Sequence, residues 1–171
     1  MRKLLLTITA IISVILLTAC QNDLNDKDPM PTDFAFELTW GTYGISSYNS
    51  TTGKLVKTTD ATVPENYITE LILKGAEISE IYELITELDM DSYPENYNPN
   101  PDVFMEPSQT LILKVTENGT EKIIKSIDIC DMTHYADEQG KKFLQTCREI
   151  ANILMSSEEW KALPDYEVLY E

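Results

Sequence analysis

The side chains best suited to hold a metal ion or to act as nucleophiles lie close together late in the chain: Cys130, Asp131 and His134, then Cys147. Zinc accepts cysteine, histidine and aspartate in tetrahedral sets. The spacing argues for something plainer, because Cys-x-x-x-His lacks the tight Cys-x-x-Cys pairing that structural zinc sites bring. Cys147 falls in an apolar stripe of helical period, His134 in a polar connection and Cys130 at the end of an apolar strand pattern. The expectation is therefore no metal and no cofactor, with Cys130, His134 and Cys147 as weak candidate ligands. A disulfide between Cys130 and Cys147 stays open, since a helix packed on a hairpin could bring their Cα atoms within the ~4.4–6.8 Å a bridge needs.

Catalytic patterns are missing. The chain contains one histidine, so a Ser-His-Asp arrangement would have to be built on His134. There is no Gly-x-Ser-x-Gly elbow, Ser-x-x-Lys, His-Glu-x-x-His or glycine-rich phosphate loop. With 29 Asp and Glu in the chain, two carboxylates at acid–base distance would arise readily in any fold and carry little information. Asp89-Met90-Asp91-Ser92-Tyr93 invites a calcium reading, but Pro94 stands where an EF-hand needs glycine and Asn100 where it needs glutamate. No catalytic residue is assigned.

The cysteine with a clear chemical context is at the other end. Arg2 and Lys3 precede an apolar run of 14 residues, Leu4 to Leu17, which ends in Leu17-Thr18-Ala19-Cys20. At ~1.5 Å of rise per residue this run falls short of a ~30 Å hydrocarbon core, and the order of charge, apolar run and small residues is that of a cleaved signal. The tetrapeptide resembles the lipobox of bacterial lipoproteins. That resemblance covers residues 1–20 and implies cleavage before Cys20, lipid on its thiol, and a cell-membrane location facing the extracytoplasmic side. Each acyl CH₂ in the bilayer contributes ~0.8 kcal/mol, so two chains suffice for a stable anchor. Behind it, Gln21 to Thr32 holds Pro29, Pro31, Asp23, Asp26 and Asp28 and no aromatic residue, the composition of a flexible acidic tether. The division expected is signal peptide 1–19, tether 20–32 and one domain over 33–171.

Charge narrows the partners. The net formal charge is −16 and becomes −18 once Arg2 and Lys3 leave with the signal. No basic stripe is present, so nucleic acid is not an expected partner. An anionic lipid surface would repel the body, which therefore stands off the membrane to which Cys20 ties it.

The elements that must position any site follow from hydrophobic period. Phe34, Phe36, Leu38 and Trp40 alternate as a half-buried strand. Thr42 to Ser50 reads as a second strand, Ser50-Thr51-Thr52-Gly53 as its turn and Lys54 to Lys57 as its partner. Tyr67 to Leu73 is expected as a fourth strand. From Ala76 the period becomes helical, with Ile78, Ile81, Tyr82, Ile85 and Leu88 on one side. Thr110–Val115 and Lys122–Ile129 form a hairpin about Asn118-Gly119, with Ile123, Ile127 and Ile129 on one face. Asp137 caps a second helix whose stripe is Phe143, Cys147, Ile150 and Leu154. Ser156 and Glu159 resemble a capping box for a last turn in which Trp160, Leu163 and Tyr166 cover a core edge. The order β-β-β-β-α-β-β-α predicts an α+β domain: an antiparallel sheet of five to six strands with two helices on one face.

Between the first helix and the second hairpin lies a long irregular segment, Asp89 to Pro107. Loops of this length in a compact domain are usually functional or disordered. Tyr93, Tyr97 and Phe104 make it the candidate binding loop, unless the two tyrosines turn inward and plug the core. The function expected is a membrane-anchored, non-catalytic binding domain for an extracytoplasmic protein or ligand. A metal-dependent or carboxylate-based enzyme and a structural accessory subunit of an envelope complex are the alternatives. Cys20→Ala should abolish incorporation of radiolabelled fatty acid and release the protein from the detergent phase. Equal labelling of mutant and wild type would exclude lipid on this residue.

Overall fold

The computed structural model describes residues 29–44, 46–58 and 66–165. Cys20, the signal and most of the tether lie outside the described residues, as does Tyr166. Six strands form one sheet: β1 (Ala35–Trp40), β2 (Ser46–Asn49), β3 (Lys54–Thr58), β4 (Asn66–Glu70), β5 (Gln109–Glu117) and β6 (Thr120–Ile129). Their spatial order is β4-β3-β2-β1-β5-β6, and every neighbouring pair is antiparallel. Two long helices, α1 (Gly75–Leu88) and α2 (Glu138–Met155), and the short α3 (Glu158–Lys161) complete the α+β domain. Among the described residues no helix is long and apolar enough to cross a membrane.

The alternation of β1 decides which face is covered. Phe36, Leu38 and Trp40 are buried, and across the ladder Val115 and Leu113 oppose the first two. Tyr48, Leu55 and Ile124 extend this face to the neighbouring strands and meet Ile81, Ile85 and Leu88 of α1 and Phe143, Cys147, Ile150 and Leu154 of α2 in one core. Burial of such side chains contributes ~1.5–3 kcal/mol each before entropy is counted. The opposite face stays polar: Lys114 lies 3.4 Å from Glu37 and 2.8 Å from Glu121. One-sided burial is what an antiparallel sheet with helices on a single face requires.

Turn chemistry sets the strand ends. Asn118 and Gly119 both take positive φ, 50° and 72°, as the tight β5–β6 turn demands. Asp33 reaches this turn, its carboxylate accepting from the backbone N–H of Asn118 at 2.9 Å and Gly119 at 2.7 Å. These two bonds hold the Asp33 carboxyl below its usual range. They also tie the chain just ahead of β1 to the hairpin tip. The second strand is shorter than its pattern suggests, because Gly41, Tyr43 and Gly44 all adopt positive φ and turn the chain before Ser46. Asp137 caps α2 as expected, accepting from Gly140 N at 2.8 Å.

Two local expectations change. Ile127 is 56% exposed whereas Ile129 is 1% exposed, so they do not share a face. A register shift opposite Gln109 and Leu111, with Asp128 at φ 57°, inserts one residue and reverses the side-chain parity. Ile129 thereby returns to the core. The cap of α3 is Ser157, whose Oγ accepts from Trp160 N, whereas Ser156 ends α2 and donates from Oγ to Ile153 O. Trp160 is buried against Trp40, ring centroids 5.6 Å apart, so its role is packing.

Candidate functional site

The sheet has two edges, and the long segment after α1 covers one of them. Lys125 N donates to Glu95 O at 2.6 Å and Tyr97 N donates to Lys125 O at 2.9 Å, so residues 95–97 add a short parallel rung to β6. Ser126 Oγ donates to Tyr97 O at 2.6 Å, and Lys125 Nζ meets Glu95 Oε1 at the same distance. At Lys125 the outward backbone groups of the edge strand are thereby paired.

This pairing turns both tyrosines inward. The Tyr93 ring is buried, Tyr97 packs on the core, and they meet edge to face with centroids 5.1 Å apart. Each also packs against Phe143 of α2, at 5.9 and 5.6 Å. The Tyr93 hydroxyl donates to Gln139 O at 3.0 Å, and Gln139 Nε2 donates to Ser92 O at 3.0 Å. Burial pushes the Tyr93 phenol up to about 12 and raises Tyr97 as well. The two rings fill the space between the sheet edge and the start of α2, so they are core plugs and not exposed contact rings.

Asn100 secures the next part of the segment. It is 1% exposed, and its Nδ2 donates to Cys130 O at 2.7 Å and Met132 O at 3.1 Å. Its backbone N–H donates to Asn98 Oδ1 at 2.9 Å. Nearby, a Cβ on Gly140 would stand 3.0 Å from the Pro99 carbonyl oxygen, so the first turn of α2 needs a glycine for the segment to pass. A glycine inside an otherwise good helix pattern was the available sequence signal for this contact; Asn100 offered none, because its partners are 30 and 32 residues away.

Phe104 behaves differently from the tyrosines. It is 87% exposed, on a stretch held between Asn100 and Glu106, which accepts a hydrogen bond from the Tyr43 hydroxyl. Tyr43 N donates to Ser108 O at 3.2 Å, bringing the β1–β2 turn to the same place. Tyr43, Phe104, Ile127, Met132 and Tyr135 are all exposed, and all lie on segments at the end of the sheet where β1 finishes and β5 begins. Asp33 and the hairpin tip mark the opposite end. Six residues of β1 at ~3.3 Å each separate the two ends by roughly 20 Å.

The soft ligands do not form a set. Cys130 and Cys147 are free and buried, so the bridge left open by their spacing is not formed. Burial alone pushes the Cys147 thiol far up, away from the reactive thiolate. His134 is exposed in a short 3₁₀ turn with its ring 3.8 Å from that of Tyr135. Among the described residues, no group of three or more His, Cys, Asp and Glu side chains could hold a metal ion.

Asn100→Ala should lower stability by about 1–2 kcal/mol: a buried hydrogen bond to Cys130 O and a part-buried one to Met132 O are lost, partly offset because Asn100 Oδ1 has no partner among the described residues. The melting temperature should fall by roughly 4–8 °C, and an unchanged value would remove the staple role. Alkaline stability checks the inward tyrosines. Burial raises both Tyr48 and Tyr93 from 10 to about 12, so the folded state holds these protons more tightly. That contribution is complete below about pH 10 and lost as pH rises through about 12. The urea midpoint should drop across this window and drop less steeply in Tyr93→Phe.

No family model matches the chain, and no curated protein sequence matches it.

Proposed function

We propose that the protein is a lipid-anchored, extracytoplasmic, non-catalytic binding domain that meets its partner through the end of the sheet farthest from the tether. The observation that carries this reading is the placement of exposed apolar side chains. Phe104 and Tyr135, 87% and 54% exposed, lie with Tyr43, Ile127 and Met132 at one end, whereas the chain from the tether enters at the other. Lipid on Cys20 would then hold the tether-proximal end towards the bilayer and present the Phe104 end outward.

The rigidity of the supports favours recognition. Asn100 and the Tyr43–Glu106 hydrogen bond hold the Phe104 stretch at both sides, so little ordering entropy remains to be lost on binding. Phe104 projects from the surface and so suits insertion into an apolar pocket of a protein partner. A large ring buried in such a pocket is a typical hot spot, with truncation costing ~2 kcal/mol or more.

Crosslinking in intact cells followed by mass spectrometry identifies the partner. Phe104→Ser should weaken its capture by at least about tenfold while leaving the melting temperature unchanged. Ile72→Ser is the control, being equally apolar and 78% exposed but located near the tether-proximal end. Equal capture by wild type and Phe104→Ser would overturn the assignment of this surface.

A further inference from the structure

A small cavity lies between the end of β1, the start of β5 and α2. Leu144, Arg148, Ala151 and Met155 recur at spacings of four, three and four, so they share one face of the helix. That face and the sheet residues Trp40 and Leu111 enclose about 200 Å³. Ala151, the shortest of the four helix side chains, leaves the space open. None of the exposed apolar side chains at this end of the sheet, Phe104 included, lines it, so the cavity is a site apart from the Phe104 surface.

Its wall holds a donor without an acceptor. Trp40 is 6% exposed, and its indole Nε1, shut away from water, has no hydrogen-bond partner among the described residues. A buried N–H left unpaired costs free energy, and folded proteins carry few of them. An acceptor oxygen brought into the cavity would satisfy this one.

Two opposite charges stand at the border. Arg148 is exposed, and its Nη2 donates to the backbone carbonyl of Asp131 at 3.3 Å. Lys114, Lys122 and Lys125 are each ion-paired, whereas no carboxylate pairs with Arg148 among the described residues. The Asp131 side chain also borders the cavity, and it too has no ion-pair partner there. One guanidinium and one carboxylate beside an apolar space match a ligand that carries both charges. We infer that the cavity binds a free apolar α-amino acid of about the size of leucine. Its side chain lies among Leu111, Leu144, Ala151 and Met155, its carboxylate accepts from Arg148 and from the Trp40 N–H, and its ammonium faces Asp131. The size agrees, since a cavity of ~150 Å³ holds a benzene ring. The charge agrees as well: a zwitterion is neutral overall, and a net charge of −16 does not repel it.

The test uses the full chain, isotope-labelled, in non-ionic detergent, with L-leucine, L-valine and L-phenylalanine as probes. The two tryptophans give two indole N–H signals. Leucine at roughly millimolar concentration should move the Trp40 signal saturably. 4-Methylpentanoate, which lacks the ammonium, and 3-methylbutylamine, which lacks the carboxylate, should each bind about tenfold more weakly or worse. Arg148→Met keeps the apolar stem and should weaken leucine by about tenfold or more with the melting temperature unchanged. Asp131→Asn should weaken leucine but tighten 4-methylpentanoate, a change of opposite sign that a merely structural role would not produce. No saturable shift with any of the three amino acids, equal binding by Arg148→Met, or 4-methylpentanoate binding as tightly as leucine would overturn the inference. An indole N–H that exchanges magnetisation with water and ignores every probe assigns the donor to a buried water, and it overturns the inference too.

Discussion

The pairing of residues 95–97 with Lys125 is the constraint on which much of this molecule depends. β6 ends the sheet, and its outward backbone groups would otherwise face water or another chain. Two backbone hydrogen bonds, at 2.6 and 2.9 Å, pair the outward groups of Lys125 on that edge with a piece of the same chain. From this follow the inward turn of Tyr93 and Tyr97 onto Phe143, the approach of Pro99 to Gly140, and the position from which Asn100 reaches Cys130 and Met132. A segment without internal period is thus made rigid by what it covers. Phe104 projects because its neighbours are held.

Charge is organised by the same sheet. Lys114, Lys122 and Lys125 on β5 and β6 are each ion-paired with a carboxylate from another strand, a turn or the covering segment. These pairs are largely exposed, and such bridges contribute little individually, ~0–1 kcal/mol. Their consequence is distribution. Three of the cations lie on β5 and β6, and the last turn of α1 holds no basic residue. At the end of the sheet where β1 finishes, Tyr43, Phe104, Ile127, Met132 and Tyr135 are exposed, and at the opposite end Asp33 binds the hairpin tip.

The helix α1, the β5–β6 hairpin with its Asn118-Gly119 turn, and the Asp137-capped α2 were legible because each follows from local chemistry. Period 3.6, period 2 and a side-chain cap act over a few residues, and burial then enforces the face they select. The binding loop was legible only as a loop. Which of its three aromatic rings would face water depended on the parallel rung at Lys125, a contact across 29 residues that no local pattern encodes. The face of Ile129 was hidden for a related reason: one extra residue at Asp128 reverses side-chain parity, and the unbroken Ile-rich pattern gives no sign of it.

By itself the sequence determined the class of the domain, the acidic balance that disfavours nucleic acid, and the buried stripes of both long helices, since composition and period act wherever the chain folds. Only the tertiary structure decided that Cys130 and Cys147 are separate buried thiols, that Tyr93 and Tyr97 belong to the core while Phe104 does not, and that Pro29–Thr32 border a groove with α1. Each of these is a relation between residues far apart in the chain, settled by which faces had to be covered when sheet, helices and the long segment packed against one another.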